Sequence, residues 1–388
     1  MKCLNDYLAI NVDNAKVFHG SNLDVLPLMA DNSVDSIVCD PPYELGFMGK
    51  SWDSSGIAYS VELWRECLRV LKPGGHLLAF SGSRTYHRMV VAIEDSGFEV
   101  RDMISWISNK TFPKSHNIAI AIDKQAGVMK HRGIRFENVS LRKQGIEVVN
   151  PTSAPAHEGI TSEAQKWQGR GTGLKPTVEP IVLARKPLDG TVANNVLTWG
   201  VGGLNIDASR IGSEEVTINT FDNGAKPFGG AVGEPYTSKQ VTGRWPANII
   251  LDETTAELLD KQADASRFFY VAKANKKDRN EGLEELGSRF APTMGNGIGG
   301  KEHDPQTATP KQNFHPTVKP TALMQYLIKL VTPKGGTVLD PFTGSGSTGK
   351  AALLDGFQFV GIELTPEYLP IIEGRLIWAN EQQDGKLL

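Results

Sequence analysis

The sequence predicts an α/β fold built on a mostly parallel sheet with helices on its faces. Three observations carry this. Residues 17–108 alternate short apolar runs with helical periodicity in the order β-α-β-α-β-α-β. Residues 337–379 form a second unit of strand, glycine turn, helix, strand and helix. Polar stretches rich in glycine, asparagine and proline separate the two.

Val17-Phe18-His19-Gly20 reads as a short strand, and Asn22 to Met29 as a helix burying Leu23, Leu26 and Leu28. The apolar run Ile37 to Cys39 ends in Asp40-Pro41-Pro42-Tyr43. Prolines cannot donate to a sheet ladder and their φ is fixed, so the strand stops there in a stiff turn. Asp40 and Tyr43 are thereby held at a strand's carboxyl end, the edge where open α/β sheets place their ligands. Alone, such a motif is also a common rigid surface turn. Residues 44–56, rich in glycine and serine, read as a mobile loop. Ile57 to Leu71 has helical spacing and stops at Pro73-Gly74-Gly75. His76 to Phe80 is a buried strand, Tyr86 to Asp95 a helix with Gly97 as its αL cap, and Val100 to Ser108 a strand.

The pattern then breaks. Lys110 to Glu147 holds eight basic residues against three acidic. Val178 to Arg185 returns as a strand, expected antiparallel to Val100–Ser108 at the sheet edge. Residues 187–312 carry isolated strands, Asn248 to Leu251 and Arg267 to Ala272, and then a basic run of Lys273, Lys276, Lys277 and Arg279. A helix at Thr321 to Leu330, strands at Thr337 to Leu339 and Phe357 to Glu363, and a final helix from Pro366 to Ala379 complete the chain. The expected division is a reacting half at 1–186 (with a basic insertion at 109–177), an irregular region at 187–312 and a ligand-binding half at 313–388.

A chain of 388 residues buries a large core, and 40% apolar with 22% charged residues is ordinary globular composition. The net charge of −3 does not advertise nucleic acid, so any such signal is local. Cys3, Cys39 and Cys67 are scattered, and the histidines lack metal-ligand spacing, which argues against a disulfide framework or a bound metal. The start is polar and no apolar run reaches the roughly 20 residues of a membrane span. A soluble, cytoplasmic protein with no membrane partner is expected.

Val338-Leu339-Asp340-Pro341-Phe342-Thr343-Gly344-Ser345-Gly346 is a strand followed by a glycine turn, with Glu363 ending the next strand. Glycines admit a ligand close to the backbone, and the helix start offers unpaired N–H groups. Gly344, Gly346 and Gly349 spell the dinucleotide fingerprint. Gly344 to Lys350 also approaches a P-loop, but Ala351 stands where a magnesium-binding hydroxyl belongs. S-adenosylmethionine is the third candidate, because Asp340 suits an ammonium and repels phosphates. A structural βα turn is the fourth reading.

Asp40-Pro41-Pro42-Tyr43 followed far downstream by Asp340 to Gly346 resembles the β-class DNA amino-methyltransferases, with the catalytic motif first and the cofactor motif last. Asn313-Phe314-His315-Pro316-Thr317-Val318-Lys319-Pro320 is similar to the family's segment before the cofactor loop, and Gly361-Ile362-Glu363-Leu364 to its ribose-binding strand end. The resemblance covers 17–108, 178–186 and 313–379. It implies a circularly permuted, Rossmann-like methyltransferase sheet with 187–312 as target-recognition region. It also implies S-adenosyl-L-methionine as cofactor, double-stranded DNA as partner and a homodimer. His315, Thr317, Lys319, Asp340, Phe342, Gly344, Ser345, Gly346 and Glu363 would hold the cofactor. Asp40, Pro41, Pro42 and Tyr43 would be catalytic: Asp40 and the Pro41 carbonyl accepting the two amine hydrogens of a flipped-out base, Tyr43 stacking on it. Lys50, Lys273, Lys276, Lys277 and Arg279 would contact DNA, with Lys50 and Trp52 on a loop closing over the base. One departure is Gly20-Ser21 where the family often has Gly-Asp, which leaves Asn22 or Asp24 to meet the cofactor adenine. Asp at the head of Pro-Pro-Tyr leans towards N6 of adenine. N4 of cytosine, a non-catalytic cofactor-sensing DNA-binding module and, more distantly, a nicotinamide dehydrogenase are the alternatives.

Overall fold

The structure is a computed structural model and describes residues 2–45, 51–109, 115–128, 158–221, 236–273, 278–287, 289–290 and 310–384. They fall into two compact units, Met1–Asn109 with Val178–Leu388, and Lys110–Thr177.

The strands of the larger unit are β1 (Leu8–Val12), β2 (Ala15–His19), β3 (Val34–Cys39), β4 (Leu71–Phe80), β5 (Glu99–Ile107), β6 (Val178–Arg185), β7 (Ile211–Phe221), β8 (Tyr236–Arg244), β9 (Ile249–Asp252), β10 (Tyr270–Ala272), β11 (Arg289–Phe290), β12 (Pro310–Lys311), β13 (Thr337–Asp340) and β14 (Gln358–Glu363). Ten of them make one sheet in the order β1-β2-β14-β13-β3-β4-β6-β5-β9-β10. The run from β2 through β14, β13 and β3 to β4 is parallel. The last two strands of the chain therefore lie between β2 and β3, beside the strand that leads to Asp40.

Side chains alternate across the sheet with period two, and both faces are covered. Val38, Leu78, Phe80 and Val338 pack with the helices Thr321–Val331, Ser347–Leu354 and Leu369–Asp384. Ile37, Cys39, Leu77, Ala79 and Leu339 pack on the other face with the helices Val61–Val70 and Tyr86–Asp95. Ser60 caps the first of these by accepting from the Leu63 N–H.

Four features differ from the sequence expectation. First, β6 is antiparallel as expected, but it sits between β4 and β5 rather than at the edge. Second, β9 and β10, from the 187–312 stretch, extend the same sheet parallel to β5. Third, β1 went unrecognised. It pairs with β2 through a tight turn in which Asn14 takes φ 59°, a conformation asparagine tolerates without the glycine that usually signals it. Fourth, β4 begins at Leu71, because Lys72–Gly75 is absorbed as an irregularity in its pairing with β3, with Gly74 at φ 78°. Two pairs stand apart from the large sheet, antiparallel β7–β8 and antiparallel β11–β12.

In the smaller unit, the helices Ile118–Gln125 and Ser162–Lys166 are tied by buried Asp123, which accepts from the Ile160 and Thr161 N–H groups at 2.8 and 3.0 Å. Among the described residues, no helix is long and apolar enough to cross a membrane.

Candidate active site

Four parallel neighbours, β14, β13, β3 and β4, end at one edge of the sheet. Glu363 and Asp340 end the first two, Asp40 follows the third and Phe80 ends the fourth. Because β6 runs the other way, its second residue, Glu179, comes to the same edge; Phe80 is paired with Ile181. The geometry of the fold thus collects four carboxylates from distant parts of the chain.

Asp40, Tyr43, Glu179 and Lys319 form one side of the site. The Lys319 ammonium donates to Asp40 Oδ2 at 2.6 Å and to the Tyr43 hydroxyl at 3.2 Å, with Glu179 at 3.5 Å. It lies 4.8 Å from the Phe80 ring centroid and 5.4 Å from that of Tyr43. Burial opposes its charge, but Asp40 and Glu179 outweigh that and raise its pKa. The Tyr43 hydroxyl donates to Glu179 at 2.8 Å. Burial first, then the charges of Asp40 and Glu179, keep this phenol protonated well above its ordinary range. Thr85 donates to the Tyr43 carbonyl at 2.8 Å and so fixes the turn. Asp40 Oδ1 is buried and has no hydrogen-bond partner.

Asp340 and Glu363 form the other side. Asp340 Oδ1 accepts from the Phe342 N–H at 2.9 Å and Oδ2 from the Thr348 hydroxyl at 2.5 Å. Burial raises its pKa to about 7; these two donors oppose the shift, and the charges of Asp40 and Glu363 add to it. Glu363 accepts from the Gly344 and Thr365 N–H groups, both at 2.7 Å, and burial also raises its pKa. Among the described residues, neither carboxylate has a cationic side chain within ion-pair distance. A ligand bearing positive charge suits such a side, and a pyrophosphate does not.

The glycine loop is shaped for close approach. Gly344 has φ 55°, and a side chain there would meet His315 Nε2 at 3.0 Å. His315 Nδ1 donates to the Thr317 carbonyl at 2.6 Å, which leaves Nε2 as an acceptor facing Gly344; burial pushes the ring's pKa down to about 4. Phe342 packs against Trp64 at 6.4 Å. Ser345 accepts through its carbonyl from fully buried Arg375 at 2.7 Å. Gly349 serves packing, since a Cβ there would lie 2.7 Å from both Leu376 and Phe359. Lys350 is fully buried on Asp278 and Glu281, both at 2.7 Å, so it does not reach for phosphate. Asn22, at the end of β2 beside β14, is buried with an unpartnered Oδ1. Glycine cradle, carboxylate strand end and orphaned Asn22 acceptor together fit an adenosine with a cationic tail.

Lys319, grouped by sequence with the cofactor, is brought to Asp40. Arg279, grouped with DNA contacts, donates to the Asn313 carbonyl at 3.2 Å and to that of His315, so its guanidinium braces the segment leading to Lys319. Lys273 is exposed. Lys50, Lys276 and Lys277 lie outside the described residues, as do 46–50 of the expected closing loop. The described ends of that loop are anchored, with Asp53 accepting from the Glu44 and Leu45 N–H groups at 3.0 and 3.2 Å. Sequence reading missed Glu179, Asp278 and Arg375. Glu179 was visible as the first carboxylate of a predicted strand, but its position depends on where that strand is inserted.

The carboxyl edge of the sheet thus brings an unpartnered carboxylate oxygen, Asp40 Oδ1, to the same edge as the glycine cradle, an arrangement suited to transfer of a group between two ligands. Residues 34–374 match the family of DNA methylases that modify N6 or N4 amines, and the chain belongs to it. S-adenosyl-L-methionine is its cofactor. The type II methyltransferase M.HindIII of Haemophilus influenzae is 27% identical over 307 residues, 78% of this chain and 63% of that protein. The DNA adenine methyltransferase YhdJ of Escherichia coli is 47% identical over 73 residues, 19% of this chain and 25% of that protein. The chain spans less than two thirds of the length of these relatives. Among solved structures, the cytosine-N4-specific PvuII DNA methyltransferase aligns at 13% identity and a TM-score of 0.45, covering 96% of this chain and 93% of that one.

Proposed function

We propose that the protein transfers a methyl group from S-adenosyl-L-methionine to N6 of an adenine turned out of double-stranded DNA. The observation that carries this is Asp40 Oδ1, a buried carboxylate oxygen with no partner at the sheet edge shared with the cofactor side. An exocyclic amine is a poor nucleophile, because its lone pair is delocalised into the ring. Asp40 would accept one N–H and the Pro41 carbonyl the other, turning the nitrogen towards tetrahedral geometry and exposing the lone pair. Bound there, the cofactor would supply a methyl carried on a sulfonium, the sulfur leaving with the C–S electron pair as a neutral thioether when the amine lone pair takes the methyl. The nitrogen's surplus proton passes to Asp40 and then to water. Alignment supplies much of the rate, and the carboxylate stabilises positive charge developing on nitrogen. Tyr43 would stack on the base, whose extrusion costs about a few kcal/mol. Asn22 Oδ1 would accept from the cofactor's adenine amine and Glu363 from its ribose. Lys273, with Lys276 and Lys277, would contact phosphates.

The adenine assignment rests on Asp40 heading the motif. The same acceptors would seat N4 of cytosine. Incubation with tritiated S-adenosyl-L-methionine and unmethylated DNA, then digestion to nucleosides, is expected to place label in N6-methyldeoxyadenosine. Label in N4-methylcytosine would transfer the assignment to cytosine. No label on any DNA, with cofactor binding intact, would favour a binding module.

A further inference from the structure

Asp40 does not stand alone on its side of the site. One of its oxygens, Oδ2, holds the Lys319 ammonium at 2.6 Å, and the other, Oδ1, is empty-handed. Lys319 has three N–H groups. Two are committed to Asp40 and Tyr43, and the third faces Glu179 at 3.5 Å, the limit of a hydrogen bond. The Asp40 carboxylate thus carries an unpartnered acceptor oxygen on the same group that holds a donor nitrogen, a pairing of acceptor and donor like that in the amide of Asn or Gln. Such an amide reads adenine by accepting from the amine and donating to a neighbouring ring nitrogen.

We infer that Asp40 and Lys319 together act as a split amide that selects the base: Asp40 Oδ1 accepts from the exocyclic amine while Lys319 donates to the adjoining ring nitrogen. This rests on the methyltransferase reading above and adds to it a base-binding role for Lys319. The edge recognised is amine next to ring acceptor, N6 and N1 in adenine or N4 and N3 in cytosine. Guanine and thymine present the opposite order, a carbonyl against the carboxylate and an N–H against the ammonium, so both are rejected by unpaired buried groups. The Asp40–Lys319 ion pair need not open for the base to enter; the third N–H turns from its long contact with Glu179 to the ring nitrogen. Phe80 and Tyr43 flank the ammonium with their rings. Glu179 is the positioning residue: it bears on Lys319 directly and through the Tyr43 hydroxyl.

Single-turnover transfer to duplexes carrying either the natural target base or its deaza analogue tests this. The analogue is 1-deazaadenine or 3-deazacytosine, according to the base labelled above. The wild-type enzyme is expected to lose roughly 10- to 100-fold on the analogue, the range for a hydrogen bond to a charged group. Lys319→Met is expected to lose a similar factor on the natural base and nothing further on the analogue. Glu179→Gln is expected to slow transfer to the natural base and to shrink the analogue's penalty. An equal penalty in wild type and Lys319→Met overturns the inference, as does weakened cofactor affinity in Lys319→Met with the penalty unchanged. Absence of transfer by the wild type to any natural base would instead sink the methyltransferase reading. Cofactor binding by calorimetry confirms that each variant is folded.

Discussion

The two sides of the site treat charge in opposite ways. Asp40 and Glu179 share one ammonium, and a phenol bridges them. Asp340 and Glu363 are more deeply buried, and among the described residues backbone N–H groups and hydroxyls answer them, with no cation. A buried carboxylate without a countercharge is costly, and the cost appears as raised pKa values. The first side therefore already holds a cation before any substrate arrives, whereas the second has none among the described residues. On the proposed function, the first surface aligns a neutral base and the second captures a charged cofactor.

The largest expected effect lies on the first side. Asp40→Ala removes the acceptor, and transfer should fall by about 10²–10³-fold or more, as for loss of a preorganised electrostatic group. Cofactor affinity, measured by calorimetry, should change little. Near-normal turnover in this variant would refute the mechanism. On the second side, Asp340→Asn should weaken cofactor binding by about tenfold and flatten its pH dependence. The sign follows from Asp340's pKa near 7 in the folded protein against an ordinary 3.8. Its protonated form favours the fold, so its contribution to the stability of the unliganded protein is lost as pH rises from about 4 through about 7. A cation bound beside it lowers that pKa and releases a proton, so affinity should climb with pH up to about 7 and then level off. Titrations in two buffers of different ionisation heat would detect the proton; none released would remove Asp340 from the cofactor. The smallest effect belongs to Tyr43→Phe, which keeps the ring and loses the hydroxyl's bonds to Glu179 and Lys319. Transfer should drop by about tenfold or less, in line with the loss of modest hydrogen bonds away from the reacting atoms. A larger loss would make the hydroxyl part of the chemistry.

Much of this was legible in the sequence, for a local reason. Asp40 and Asp340 each end an apolar run and precede proline, so strand, stop and carboxylate are all encoded within a few residues. The glycines at 344 and 346 likewise declare a turn that needs φ above zero. Partnerships across the chain were not legible. Lys319 is grouped with the cofactor through the resemblance of its segment, Asn313 to Pro320, to the family's stretch before the cofactor loop, and nothing local ties it to Asp40. Glu179 reaches the site only because β6 enters between β4 and β5, a choice made by packing. Arg279 sat in a basic run, but its guanidinium is taken up by two carbonyls of the segment it faces.

The position of β13 also has a consequence for how the protein is made. Val34–Cys39 is buried at every residue and is paired on one side by Thr337–Asp340. During synthesis that side stays bare while most of the chain is already outside the ribosome. The unfinished sheet is then two fragments, β1 with β2 and β3 with the strands beyond it, and β13 and β14 join them. An apolar strand with an open ladder invites pairing with other chains. Folding to the native state thus waits for β13 and β14, which emerge long after β3, and loss of those strands would leave an aggregation-prone remnant rather than a weakened fold.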